Sequence, residues 1–167
     1  MLRRAVVWRL IHTNPVAAVD RPRVEAPEMN ILTNAEITRL TTAYDQLTEV
    51  ADNNDDRSRW AFAKTITLVA LGTALRGGEL LALQWRDIEL LERRLHAREA
   101  LVGGEITTLK SRASRRTITL GPRTTAVLAD WWQQTPYKGN DELAFPNPHT
   151  GNAADPSMLS KYMRQAL

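Results

Sequence analysis

Arg76 and Glu79 are the only charged residues between Ile66 and Trp85, in a stretch otherwise apolar, small or neutral ("LGTALRGGELLALQW" at 71–85). A guanidinium set among apolar residues needs a partner, because burying an unpaired charge is costly. Glu79 is one partner within reach. An anion from outside the protein is the other. Two glycines, Gly77 and Gly78, follow the arginine and would let such an anion come close. A guanidinium fixed in place can hold the oxygens of such an anion through paired, charge-assisted hydrogen bonds.

Charge along the chain is uneven. Ile106–Ala129 holds five basic residues (Lys110, Arg112, Arg115, Arg116 and Arg123) and no acidic one, whereas Asp45–Asp56 holds five acidic residues and no basic one. The net charge is +3 and the pI about 9.6. Such asymmetry suits a polyanionic partner. The 167 residues include no cysteine, which removes disulfides, zinc ribbons and thiol catalysis. His12 and His149 lack the carboxylate or second-histidine spacing of a metal site, and His96 reads as a strand-surface residue. No metal and no cofactor are expected. The basic start has too short and broken an apolar run for a signal peptide, and the most apolar stretch is too short to span a bilayer. The reading is a cytoplasmic protein without a membrane segment.

The elements that must position these residues are mainly helical, an α+β pattern. Met1–Ile11 reads as the end of a helix, followed by a proline-punctuated extended linker with Pro15, Pro22 and Pro27. "TNAE" predicts a capping box, Thr33 with Glu36, opening an amphipathic helix through Ile37, Leu40, Tyr44, Leu47 and Val50. Residues 53–57 read as a loop, Trp60–Leu75 as a central buried helix broken by Gly77 and Gly78, and 79–83 as a short helix. The pattern then turns to strands: a three-stranded antiparallel meander over 87–91, 94–101 with 105–110, and 115–120, turning at Gly103–Gly104. Gly121–Pro122 opens a helix bearing Ala126, Val127, Leu128, Trp131 and Trp132, and Pro156 opens the last one. Trp60, Trp85, Trp131 and Trp132 are assigned to the core rather than to base stacking.

Taken together, "TALRGGELLALQWRDIEL" resembles the first motif box of the tyrosine recombinases, the phage integrase family, and "LKSRASRRTITL" resembles that family's lysine-bearing β-hairpin. "LAFPNPHTGNAADPSMLSKYMRQAL" is similar to the approach to its second box, and "AVVWRLIHTNPVAAVDRPRV" to the end of its core-binding domain and the linker after it. The resemblance implies three parts: the last helix of a SAM-like core-binding domain (1–13), a linker (14–32) and the N-terminal portion of the catalytic domain (33–167). It implies that Arg76 grips the scissile phosphate, that Glu79 supports it, and that Lys110 protonates the departing 5′ oxygen. Arg112, Arg115 and Arg116 would neutralise flanking phosphates. Double-stranded DNA is the implied partner, with other recombinase protomers beside it.

Part of the family's equipment has no match. No histidine is followed three residues later by arginine, and none of Tyr44, Tyr137 and Tyr162 falls where the nucleophilic tyrosine should lie. The expectation is a recombinase cut short before the second catalytic box and inactive by itself. Its final helix would then leave Met158, Leu159, Tyr162 and Leu167 uncovered. A non-catalytic DNA-binding or regulatory module, and a helical scaffold with an incidental basic hairpin, are the alternatives.

Overall fold

The computed structural model describes residues 2–20, 31–109 and 114–166. Lys110 and Arg112, the Pro22 and Pro27 of the linker, and Leu167 lie outside the described residues. The chain divides into two compact units, 1–32 and 33–167.

In the first unit, helix α1 (Leu2–Val7) is shorter than its sequence pattern suggests. Arg9 takes a left-handed conformation (φ 58°), and the N–H groups of Leu10 and Arg9 return to the carbonyls of Ala5 and Val6. Those paired bonds cap a helix C-terminus and end it there. The segment expected to be extended contains one 3-10 turn, Pro15–Ala18, because the Asn14 side chain accepts from Val16 N–H and Pro15 sits in the first turn.

The second unit opens with helix α2 (Asn34–Glu49). Its capping box is present: the Thr33 hydroxyl accepts from Glu36 N–H, and the Glu36 carboxylate accepts from Thr33 N–H. Leu40 and Tyr44 are buried, while Val50, at the helix end, is exposed. Helix α3 (Asn54–Thr73) begins inside the stretch expected to be a loop. Asn53 is its cap, accepting from Asp56 N–H at 2.8 Å, and Asp55 and Asp56 lie in the first turn, where negative charge favours the helix dipole. Replacing Asn53 by alanine should lower stability by about 1 kcal/mol, read as a shift of the urea midpoint at unchanged slope.

Beyond α3 the chain reverses at Ala74, left-handed at φ 51°, and Gly77 and Gly78 open helix α4 (Gly77–Leu81) instead of breaking the helix before it. A 3-10 turn at Trp85–Asp87 leads to strand β1 (Ile88–Glu89). Strands β2 (Arg94–Ala97), β3 (Glu99–Val102), β4 (Glu105–Thr108) and β5 (Arg116–Thr119) follow. The three-stranded antiparallel sheet has order β1-β2-β5. It is the three-stranded antiparallel sheet expected, with a hairpin inserted between β2 and β5. The predicted 94–101 strand is divided at Arg98: its first half pairs with β5, and its second half forms a separate hairpin with β4 through Gly103 and Gly104, both at positive φ.

Helix α5 (Pro122–Gln134) packs on α3, and helix α6 (Pro156–Ala166) lies against α2, α3 and α4. Tyr162 is buried edge-on to Trp60, and Met158 and Leu159 are partly buried on the core. The apolar side of α6 expected to be uncovered is therefore largely covered within this unit. Phe62, Trp131 and Phe145 meet edge to face beneath α3 and α5. Trp60, Trp85 and Trp131 belong to the core as expected, whereas Trp132 is 37 % exposed with the Lys138 ammonium over its ring. Among the described residues no helix is long and apolar enough to cross a membrane.

Candidate functional site

The turn between α3 and α4 sets Arg76 at the N-terminal end of a short helix, with its side chain 78 % exposed. Glu79, one turn later, is buried at 3 %. Its carboxylate accepts four hydrogen bonds. Oε2 accepts from Arg76 N–H at 3.0 Å and from Arg116 Nη2 at 2.9 Å; Oε1 accepts from Arg76 Nη1 at 3.3 Å and Arg116 Nη1 at 3.2 Å. Burial by itself would push the Glu79 carboxyl up. The forked contact from Arg116, the Arg76 N–H and the positive charges outweigh that and hold it below the usual carboxylate range. The same contact raises Arg116 further above its already high value.

Of the two partners considered for Arg76, Glu79 is in contact with it. One Nη lies on Glu79, and the remaining guanidinium donors face solvent. One buried carboxylate sits between two guanidiniums, so the island carries one net positive charge at the surface.

Gly77 and Gly78 differ. A side-chain carbon on Gly77 would meet nothing within 4 Å, so this glycine faces open space. On Gly78 it would lie 2.7 Å from the Leu101 carbonyl oxygen of β3. The first leaves room for a ligand backbone, and the second permits close packing of α4 on β3.

Arg115 is exposed, with Nε donating to the Leu109 carbonyl at 3.3 Å. Arg116, expected on phosphates, has both Nη groups on Glu79 and a further bond from Nη1 to the Ser114 carbonyl. Arg115 and Arg116 border an open cleft with His96, Arg98, Thr108 and Thr117 between β2, β5 and the β3–β4 hairpin. His96 lies on β2 with Nδ1 3.0 Å from the Thr117 hydroxyl and Nε2 3.2 Å from the Glu89 carboxylate. Arg98 was not singled out from sequence. Its head is half exposed, 3.3 Å from an oxygen of buried Asp87 but off hydrogen-bonding geometry. Arg98 thus repeats the arrangement at Arg76, an outward guanidinium against a buried carboxylate. The WRD run containing Asp87 was visible in the sequence, but the strand break that brings Arg98 back to it was not.

Among the described residues no group of His, Cys, Asp or Glu could hold a metal ion. Two of the three tyrosines, Tyr44 and Tyr162, are buried. Tyr44 is fully buried, 3.4 Å from the Thr67 hydroxyl, and burial raises its hydroxyl pKa. Burial also raises that of Tyr162, partly offset by Arg59. Tyr137 is half-buried; its carbonyl accepts from the Trp85 indole at 2.7 Å.

Residues 31–167 match the model of the phage integrase family. The shufflon-specific DNA recombinase of Escherichia coli is 31 % identical over 117 residues, 70 % of this chain and 27 % of that protein. The ICEBs1 integrase of Bacillus subtilis (strain 168) is 39 % identical over 72 residues, 41 % of this chain and 20 % of that protein. The chain thus spans little more than a quarter of these relatives at most. Among solved structures, the Tn1549 transposon integrase in complex with transposon right end DNA aligns over 98 % of this chain and 55 % of its own, with a TM-score of 0.64 and 16 % identity. A lambda integrase tetramer bound to a Holliday junction aligns over 98 % of this chain and 40 % of its own, with a TM-score of 0.60 and 18 % identity.

Proposed function

This chain belongs to the phage integrase family of tyrosine recombinases, and we propose that it contributes a duplex-DNA-binding surface and the first phosphate-gripping arginine of a site-specific recombinase. The observation that carries this reading is the exposed Arg76 guanidinium anchored on a buried carboxylate. A guanidinium held in place needs little reorganisation as charge builds up on a phosphodiester. Arg76 grips the non-bridging oxygens, and open space at Gly77 admits the backbone. Glu79 supports Arg76 and makes no phosphate contact, since its lone pairs are engaged and its charge would repel. Lys110 protonates the 5′ oxygen leaving group, and Arg112 and Arg115 neutralise neighbouring phosphates. Double-stranded DNA is the partner, and further protomers complete the assembly, as a tetramer on a junction does for the lambda integrase.

The 167-residue polypeptide does not cleave DNA unaided. The covalent route needs a tyrosine hydroxyl that attacks phosphorus and releases the 5′ oxygen. Tyr44 and Tyr162 are sealed in the core, and the tyrosine ring of Tyr137 abuts Gly151. No His-x-x-Arg sequence supplies the second arginine. The alternative, a DNA-binding module with no catalytic role, draws on the same facts.

A labelled duplex of twenty base pairs tests binding. Affinity should fall steeply between 50 and 200 mM salt, and Arg76→Ala should weaken it about tenfold while lowering the log–log salt slope by about 1. Salt-independent or absent binding would overturn the reading. On a suicide substrate whose cleavage traps the enzyme, no covalent adduct should form; an adduct on a denaturing gel would show that the chain cleaves. Joining on a family C-terminal segment separates the two readings: cleavage that returns and then disappears with Arg76→Ala assigns Arg76 to catalysis, and cleavage indifferent to Arg76 removes it.

A further inference from the structure

We infer that Arg116 is a positioning residue for Arg76, acting through Glu79, and that it makes no phosphate contact of its own. This rests on the reading of Arg76 as a phosphate ligand. Three observations carry it. Arg116 directs both Nη atoms inward, onto the two oxygens of one buried carboxylate, at 3.2 and 2.9 Å. Arg76 meets the same two oxygens, with its Nη1 and its backbone N–H, so the head and the root of that side chain are held by one group. The exposures complete the order: Arg76 78 %, Arg116 34 %, Glu79 2 % by side chain.

The consequence follows from planar geometry. Contacted only by Arg76, the carboxylate would be held by one backbone N–H and one 3.3 Å bond from the very side chain it is to position. A forked guanidinium on the opposite side fixes its plane, because two parallel N–H···O bonds admit one orientation. With that plane fixed, the Oε1 that receives Arg76 is fixed too. Arg116 is also the first residue of β5, paired with Ala97 of β2. The bridge therefore ties the sheet to the N-terminal end of α4, two elements distant in sequence. Lysine cannot take over this role. It keeps the charge but presents a single ammonium.

The test combines side-chain NMR of arginine-labelled protein with duplex binding. In the free wild-type chain, the Arg116 guanidinium should rotate slowly and Arg76 Nε–H should be ordered. Adding duplex should shift the Arg76 signals and leave those of Arg116 nearly unmoved. R116M and R116K should both loosen Arg76 in the absence of DNA. In binding, R116M should cost up to about tenfold, and R76A/R116M should lie within about twofold of R76A alone, since a residue acting through Arg76 has nothing left to act on. Three results would each overturn the proposal: Arg76 order unchanged in both Arg116 variants, Arg116 signals shifting with DNA as far as those of Arg76, or an additive double variant whose salt slope drops by a further unit. If the variants do not fold, the wild-type spectra decide. If wild-type protein binds no duplex, the DNA reading fails, and the order of Arg76 in DNA-free variants still decides the positioning role.

Discussion

Glu79→Ala should cost the 33–167 unit about 3 kcal/mol of stability, seen as a fall of roughly 10 °C in melting temperature. The carboxylate is 2 % exposed and accepts from two guanidiniums and one backbone N–H. Removing it leaves Arg76 and Arg116 facing one another without a counter-charge, and leaves the Arg76 N–H without its partner. Breaking a buried pair by deleting one member costs about 3–5 kcal/mol. The lower end applies because both guanidiniums can turn toward water. Denaturation followed by circular dichroism checks this; a loss below about 1 kcal/mol would mean that the arginines separate freely and that the island is not a lock.

The same residue gives a pH dependence of defined sign. The Glu79 carboxyl lies lower in the folded chain than in the unfolded one, despite the opposing effect of burial, because Arg116 and the Arg76 N–H favour its charged form. Its contribution is therefore complete above the unfolded value of about 4.3 and is lost as pH falls through the lower folded value. Glu36 and Asp155 are lowered by hydrogen bonds from Thr33 and Ser157 and act in the same direction. Acidification below pH about 4 should destabilise the wild type more steeply than Glu79→Gln, which lacks one of the three contributions.

The helices were legible from local signals. The Thr33–Glu36 box, the apolar face through Leu40 and Tyr44, and Pro122 after Gly121 each act within a turn or two, and each stands where the pattern puts it. The start of α3 escaped because Asn53, Asp55 and Asp56 make a polar run typical of loops; the same residues cap a helix once Trp60 and Phe62 have a core to join. The sheet was read in part. Alternation marks strands but does not name their partners, and nothing local announces the break at Arg98 that brings it to Asp87, eleven positions back. At the site, the charges at 76 and 79 stood out against apolar neighbours, while the role of Arg116 depended on a contact spanning thirty-seven positions. Helix α6 illustrates the opposite error: Met158, Leu159 and Tyr162 looked exposed only while their cover, α2 and α3, was unplaced.

Gly78→Ala should destabilise this protein, whereas Gly77→Ala should not, although the two glycines are adjacent. The added carbon at 78 would stand 2.7 Å from the Leu101 carbonyl oxygen, closer than side-chain carbons come to other atoms. That oxygen belongs to the backbone of β3, which is paired with β4, and cannot swing aside as a side chain would. Helix α4 must move away from the sheet, at about 1–3 kcal/mol. The movement strains the bridge from Glu79 on α4 to Arg116 on β5, so duplex affinity should fall, up to about as far as in Arg76→Ala, although the arginine is still present. At 77 the added carbon meets open space, and fewer unfolded conformations should leave stability unchanged or raised by up to about 1 kcal/mol. If Gly77 lies where a DNA backbone approaches, its alanine variant should still bind duplex more weakly at full stability. Paired urea titrations and anisotropy curves separate the two: loss of stability at 78, and loss of affinity without loss of stability at 77. Equal melting temperatures for both variants would mean that α4 does not rest on β3 through Gly78.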